Sequence, residues 1–222
     1  MESIVVNRGC VMRAYPNDQQ RRALTVAFGQ SRWIYNMALD ACGFAYRNLQ
    51  QRYTPIDCSR AFTELRKDPD YAWLNDVPKT VHTNAVRNLQ DALTRFFKGQ
   101  CRYPRFKTRK DHEQVANYQL DTRQNNWLPG KLLKVPGLGA LRVHWTRKFK
   151  GRPKKVTVRM TASGEYFASV QTEETVEVFP RTGRTTGADV GILDAAVLVN
   201  DQGEVYHSGA PRFLRQMVRT LR

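Results

Sequence analysis

The spacing of apolar residues changes once along this chain, near Gly99, and that change limits the folds open to it. Before Gly99 apolar residues recur at helical intervals. Leu24, Ala27, Phe28, Trp33, Ile34, Met37, Ala38 and Ala41 form one series, and Val81, Ala85, Leu89, Ala92, Leu93, Phe96 and Phe97 form another. A strand over residues 4–15 precedes them, and Pro16-Asn17-Asp18 ends it and caps the first helix. Gly29 is expected to divide that series into two helices, with Trp33, Ile34 and Met37 in the core. A short helix from Ser59 carries Phe62 and Leu65 and stops at Asp68-Pro69. Pro78 opens the last helix and Gly99 closes it, with Asn84, Arg87, Asn88, Arg95 and Lys98 on its polar face. After Gly99 come strand-like pieces at 115–120, 131–135, 140–145, 154–160 and 166–172, separated by Pro-Gly and Ser-Gly turns. The expectation is an α+β fold in which a small β-barrel, begun by the N-terminal strand, is interrupted by helices.

Residues 180–184 read as a linker. Beyond it lies Gly187-Ala188-Asp189-Val190-Gly191, a carboxylate inside an apolar, β-prone segment where Asp is uncommon. A second strand-like run (195–199), a turn at 200–203 and Glu204-Val205-Tyr206-His207 follow. This order resembles the opening of an RNase H-like nuclease fold, in which the carboxylate holds a catalytic divalent metal. A carboxylate at a strand end making local hydrogen bonds accounts for the same residues. Residues 212–219 look like the start of a basic amphipathic helix.

The formal net charge of +16 on 222 residues calls for a polyanionic partner, nucleic acid before an anionic membrane surface. No stretch has the length of a transmembrane span, and the N-terminus lacks the features of a signal peptide. Cys10, Cys42, Cys58 and Cys101 form no C-x-x-C pair, so no zinc site is expected; they read as reduced, mostly buried thiols of a cytoplasmic protein. His82, His112, His144 and His207 lack metal-ligand spacing and read as structural or surface residues.

Two basic runs stand out. In the first, Arg102, Arg105, Lys107 and Lys110 are placed to neutralise phosphates and Tyr103 to stack on bases, while Phe106 packs inward. The second, Arg147, Lys148, Lys150, Arg152, Lys154 and Lys155, has no interleaved acid, and its like charges repel unless a polyanion is bound. Arg21 and Arg32 on the first helix and Arg87 and Arg95 on the last complete the candidate nucleic-acid contacts.

Three motifs carry a resemblance to a family. They are Tyr15-Pro16-Asn17-Asp18-Gln19-Gln20 with Phe28-Gly29 and 32–39, then Phe96-Phe97 followed by 103–107, then 187–191. In that order they resemble the OrfB/TnpB proteins of bacterial insertion sequences, which are RNA-guided DNA endonucleases related to type V CRISPR effectors. The resemblance implies a wedge-like barrel (residues 1–16 and 111–180) interrupted by a helical recognition insert (17–110), then the opening strands of a RuvC domain (181–222). It implies guide RNA and target DNA as partners, no membrane, a co-encoded transposase of the same element, and Mg²⁺ held by Asp189 as the first of several catalytic carboxylates. The remaining carboxylates and zinc knuckles of the family do not follow Asp189 in this sequence, so the expectation is a C-terminally truncated member that binds nucleic acid without cutting alone. A nuclease-dead RNA-guided repressor, a gene remnant and a general RNA-binding protein are the alternatives.

Overall fold

The computed structural model describes residues 3–111, 113–144, 151–179, 183–191 and 194–209. The fold is mixed α/β with antiparallel strands, and the chain divides into two compact units, one spanning residues 4–176 and the other built mainly from residues 177–222.

In the larger unit, β1 (Ser3–Tyr15) leads into α1 (Asp18–Leu49), α2 (Pro55–Leu65), a 3₁₀ segment (Pro69–Asp76) and α3 (Lys79–Phe97). Then come β2 (Glu113–Gln119), β3 (Trp127–Leu128), β4 (Leu132–Val135), β5 (Gly139–His144), β6 (Arg152–Thr161) and β7 (Tyr166–Glu177). These strands make one sheet in the order β2-β6-β7-β1-β5-β4-β3. The N-terminal strand therefore lies inside the sheet, and all three helices are inserted between it and β2.

Local chemistry sets the helix ends. Asn17 and Gln20 form a reciprocal capping box at the start of α1. The Gln20 amide also donates to the carbonyls of Leu138 and Ala140, both at 3.0 Å, and so ties that end to the β4–β5 turn. Thr54 and Asp57 repeat the box at α2, with Pro55 in its first turn. α3 stops at Gly99, which adopts φ 69°, a left-handed conformation open to glycine.

Helix α1 runs unbroken for 32 residues, so Gly29 does not divide it. Residues on both sides of Gly29 are anchored. Leu24, Ala27 and Phe28 pack against the sheet with Met12, Tyr118, Leu133, Leu141, Val156 and Val170. Gln30 donates to the Trp73 carbonyl at 2.6 Å, and Ile34 is buried with Leu74, Ala85 and Val86. Burial of several side chains, each contributing about 1.5–3 kcal/mol, outweighs the cost of about 1 kcal/mol for a glycine within a helix. A third cluster (Tyr35, Ala38, Leu39, Cys58, Leu89, Leu93) joins α1, α2 and α3.

Two residues of the apolar series face outward: Met37, expected in the core, is 45% exposed, and Phe97 is 78% exposed. Conversely, Asn84, expected on the polar face of α3, is buried and donates to the Asn117 carbonyl at 3.2 Å. His82 is buried in a polar network described below. Cys58 is buried, Cys42 and Cys10 are half-buried and Cys101 is exposed; all four are free thiols, so burial is less general than expected.

The smaller unit holds a three-stranded antiparallel sheet, β10-β9-β8, of β8 (Thr186–Asp189), β9 (Val197–Asn200) and β10 (Val205–His207). The Asn200 side chain accepts from the backbone N–H groups of Gln202 and Glu204 and closes the β9–β10 turn, where Gly203 has φ 78°. The amphipathic piece at 212–219 lies outside the described residues.

Candidate nucleic-acid interface

Tyr35 on α1 is the centre of a basic site. The Lys107 ammonium lies 4.1 Å from its ring centroid, a cation–π contact. Burial raises the Tyr35 pKa above its ordinary value, and the charge of Arg95 works against that rise, while Cys101 and Tyr103 add to it. Arg95 from α3 and Lys107 and Tyr103 from the following loop are thereby brought to one buried ring.

The loop itself is fastened from both sides. The Asn36 side chain accepts from Lys107 N–H at 2.8 Å and donates to the Lys107 carbonyl at 2.9 Å, as a neighbouring strand would. Asp111 accepts from the Thr108 backbone N–H at 2.9 Å and the Thr108 hydroxyl at 2.8 Å, and these bonds, with Arg105 and Lys107 nearby, hold its carboxyl below the usual range. Gln114, buried at the start of β2, donates toward the Arg109 carbonyl and accepts from the Arg32 guanidinium. Burial lowers the pKa of Arg32, and Arg109 lowers it further. Burial likewise lowers that of Lys107. Like charges are thus held together around a preformed loop, and the Asp111 carboxylate works against the lowering at both Arg32 and Lys107.

Tyr103 packs edge-on against Phe96, ring centroids 5.2 Å apart at 88°. Phe106, expected to pack inward, is 56% exposed, and it is Lys107 that tucks into the fold. Two roles are exchanged because Asn36 grips the backbone of Lys107 and turns its side chain onto Tyr35. Arg102, Arg105 and Lys110 are exposed along the same loop, and Arg87 is exposed on α3. Arg95 is exposed and donates to the Asp91 carbonyl at 3.4 Å. Arg21 lies at the other end of α1, where it donates to the Pro16 carbonyl and pairs with Asp18 at 3.7 Å.

The second basic run is described from Gly151 onward; Arg147, Lys148 and Lys150 lie outside the described residues. No acid is interleaved within the run, but the neighbouring strand supplies one. β7 lies beside β6, Lys154 pairs with Glu173 at 2.5 Å, and Arg152 is in register with Glu173. Lys155 instead lines a shallow groove of about 280 Å³ on the sheet face, with Asn7, Arg8, Thr157, Ser169 and Gln171. Arg8, which the sequence reading missed, also pairs with Glu174 at 3.2 Å. The contacts of Asn36 with Lys107, of Gln114 with Arg32 and of Arg8 with Glu174 have no local signal in the sequence, since these partners are distant in the chain.

Asp189 ends β8, opposite Val197, and is exposed. Asp194 is engaged by His207 at 2.7 Å. Among the described residues no three His, Cys, Asp or Glu side chains come together as a metal site. Asp189 has the chemistry of a Mg²⁺ ligand, but the described residues do not assemble a set of ligands around it. Among the described residues no helix is long and apolar enough to cross a membrane.

Residues 1–51 match a helix-turn-helix domain family of the OrfB/IS605 group, although the described part of that range carries β1 (Ser3–Tyr15) and one continuous helix (Asp18–Leu49). A Streptomyces pristinaespiralis protein named "Putative RNA-guided DNA endonuclease" is 33% identical over 195 residues, covering 87% of this chain and 48% of that protein. "Putative RNA-guided DNA endonuclease InsQ" of Escherichia coli (strain K12) is 27% identical over 189 residues, covering 82% of this chain and 45% of its own length. The chain thus spans about half the length of these relatives. A chain in the cryo-EM structure of the Cas12f1–sgRNA–target DNA complex aligns with TM-score 0.51 and 7% identity over 98% of this chain and 68% of that one. The fold is therefore Cas12f-like. In sequence the chain is similar to the OrfB/TnpB family.

Proposed function

We propose that this chain binds guide RNA and target DNA in RNA-guided DNA recognition associated with a transposable element. The observation that carries the reading is the cluster around Tyr35. Arg105, Lys107 and Arg109 lie on a loop fixed by Asn36 and Gln114, with Arg32 of α1 beside Arg109 and Arg95 of α3 beside Tyr35. Holding cations together costs free energy unless a polyanion occupies the site, and fixing them beforehand lowers the entropy lost on binding. In such a system base pairing reads the target, while the protein reads backbone shape and a short flanking motif. In this reading the seven-stranded sheet serves as a wedge-like barrel, α1–α3 as the recognition insert, and β8–β10 as the opening of a RuvC domain with Asp189 as a Mg²⁺ ligand. A co-encoded transposase would act on the same element.

The test is to express the chain in a bacterium carrying the DNA that flanks its gene, purify it at moderate salt and sequence the RNA that comes with it. One RNA from the end of the element, enriched over host RNA, is expected. Random host RNA, or none, would overturn guide binding.

A further inference from the structure

Phe97 occupies the last turn of α3 and exposes 78% of its surface, an unusual position for a phenylalanine. Its ring is supported from behind. Phe96 lies 5.2 Å away at 60°, and Phe96 is in turn held edge-on by Tyr103. Gly99, at φ 69°, ends the helix immediately afterwards and reverses the chain, which returns Tyr103 to Phe96. The Phe96–Tyr103 pair thus keeps Phe97 from folding inward.

Charge defines what such a ring meets. Between Asp91 and Asp111 the sequence has no carboxylate, while Arg95, Lys98, Arg102, Arg105, Lys107, Arg109 and Lys110 all lie there. Arg95, Lys98 and Arg102 are exposed and flank these aromatic residues along the chain. An apolar protein partner would have to desolvate these cations. A duplex would offer them phosphates but keep its bases stacked away from the ring. A single-stranded segment satisfies both parts, since phosphates meet the cations and a free base has a π-face.

We propose that Phe97, backed by Phe96 and Tyr103, is a stacking platform for an unpaired nucleobase of a single-stranded segment. The inference deepens the nucleic-acid reading above and rests on it.

The experiment compares two fluorescein-labelled 12-mers of equal charge, oligo(dT) and an abasic sugar-phosphate strand, binding to the full chain at one salt concentration. The wild type is expected to hold oligo(dT) about tenfold more tightly than the abasic strand. Phe97→Ala should remove that preference and leave abasic affinity unchanged, while Phe97→Trp should keep it. A wild type with equal affinity for both strands overturns the platform and leaves polyanion binding standing. Failure to bind either strand overturns both readings. Equal loss on both strands in Phe97→Ala, or binding to phosphatidylserine vesicles that Phe97→Ala abolishes while strand preference is unchanged, also overturns it; the vesicle result would assign the ring to a membrane surface.

Discussion

His82 shows how one side chain ties three elements together. It is 3% exposed, its Nε2 lies 2.7 Å from Gln30 Oε1, and Arg66 Nη1 lies 3.0 Å from its Nδ1. Arg66 can only donate, so Nδ1 accepts and Nε2–H donates to Gln30, which fixes the neutral ring. The same Arg66 nitrogen reaches the carbonyls of Leu74 and Val77, so the network links α1, α2 and the 3₁₀ segment to α3. Burial first, and the charge of Arg66 second, push the His82 pKa down to about 4. An unfolded chain titrates histidine near 6.5. Between those values the unfolded state binds more protons, so the stabilisation is complete above about pH 6.5 and is lost as pH falls toward about 4. His82→Gln should therefore make the loss of stability between pH 7 and pH 4.5 smaller by about 2–3 kcal/mol. Urea unfolding of both proteins at the two pH values measures this, and an unchanged difference would show that the ring is not held neutral.

Among the elements, α1 carries the clearest energetic prediction. Gly29 lies inside a continuous helix, and a methyl group built on it meets nothing within 4 Å. Gly29→Ala should stabilise the protein by about 0.5–1 kcal/mol, through helix propensity and a less flexible unfolded chain. In thermal unfolding this corresponds to a midpoint about 2 °C higher. A lower midpoint would mean that the helix needs its glycine. The sequence signals led to a break at Gly29 because local propensity carries no information about Gln30 reaching Trp73 or Leu24 reaching the sheet. α3 and the strands β4 to β7 are legible in advance because their apolar periodicity and Pro-Gly turns are local. β3, two residues long, offers no period to read. The basic character of residues 102–110 is likewise legible, whereas its shape depends on Asn36, 71 residues away from Lys107. The exchange between Phe106 and Lys107 follows from that single long-range bond pair.

At the scale of the whole molecule, a formal charge of +16 would attract polyanions wherever the charges sat, so affinity alone does not separate a built site from general attraction. Salt dependence does, because each phosphate contact contributes about 0.7 to the slope of log K against log salt for single strands. Arg105 and Arg109 lie on the loop fastened by Asn36 and Gln114. Lys67 and Arg123 are exposed and engaged with Glu64 and Asp121 elsewhere on the chain. Arg105→Gln with Arg109→Gln, and Lys67→Gln with Arg123→Gln, each remove two charges. The first pair should weaken binding to a single-stranded RNA and flatten the slope by about 1.4, while the second should leave the slope where it was. Equal flattening by both pairs would assign binding to net charge and dissolve the site around Tyr35. A change confined to the first pair requires phosphates at that loop, since the two variants carry the same total charge and differ only in where it was removed.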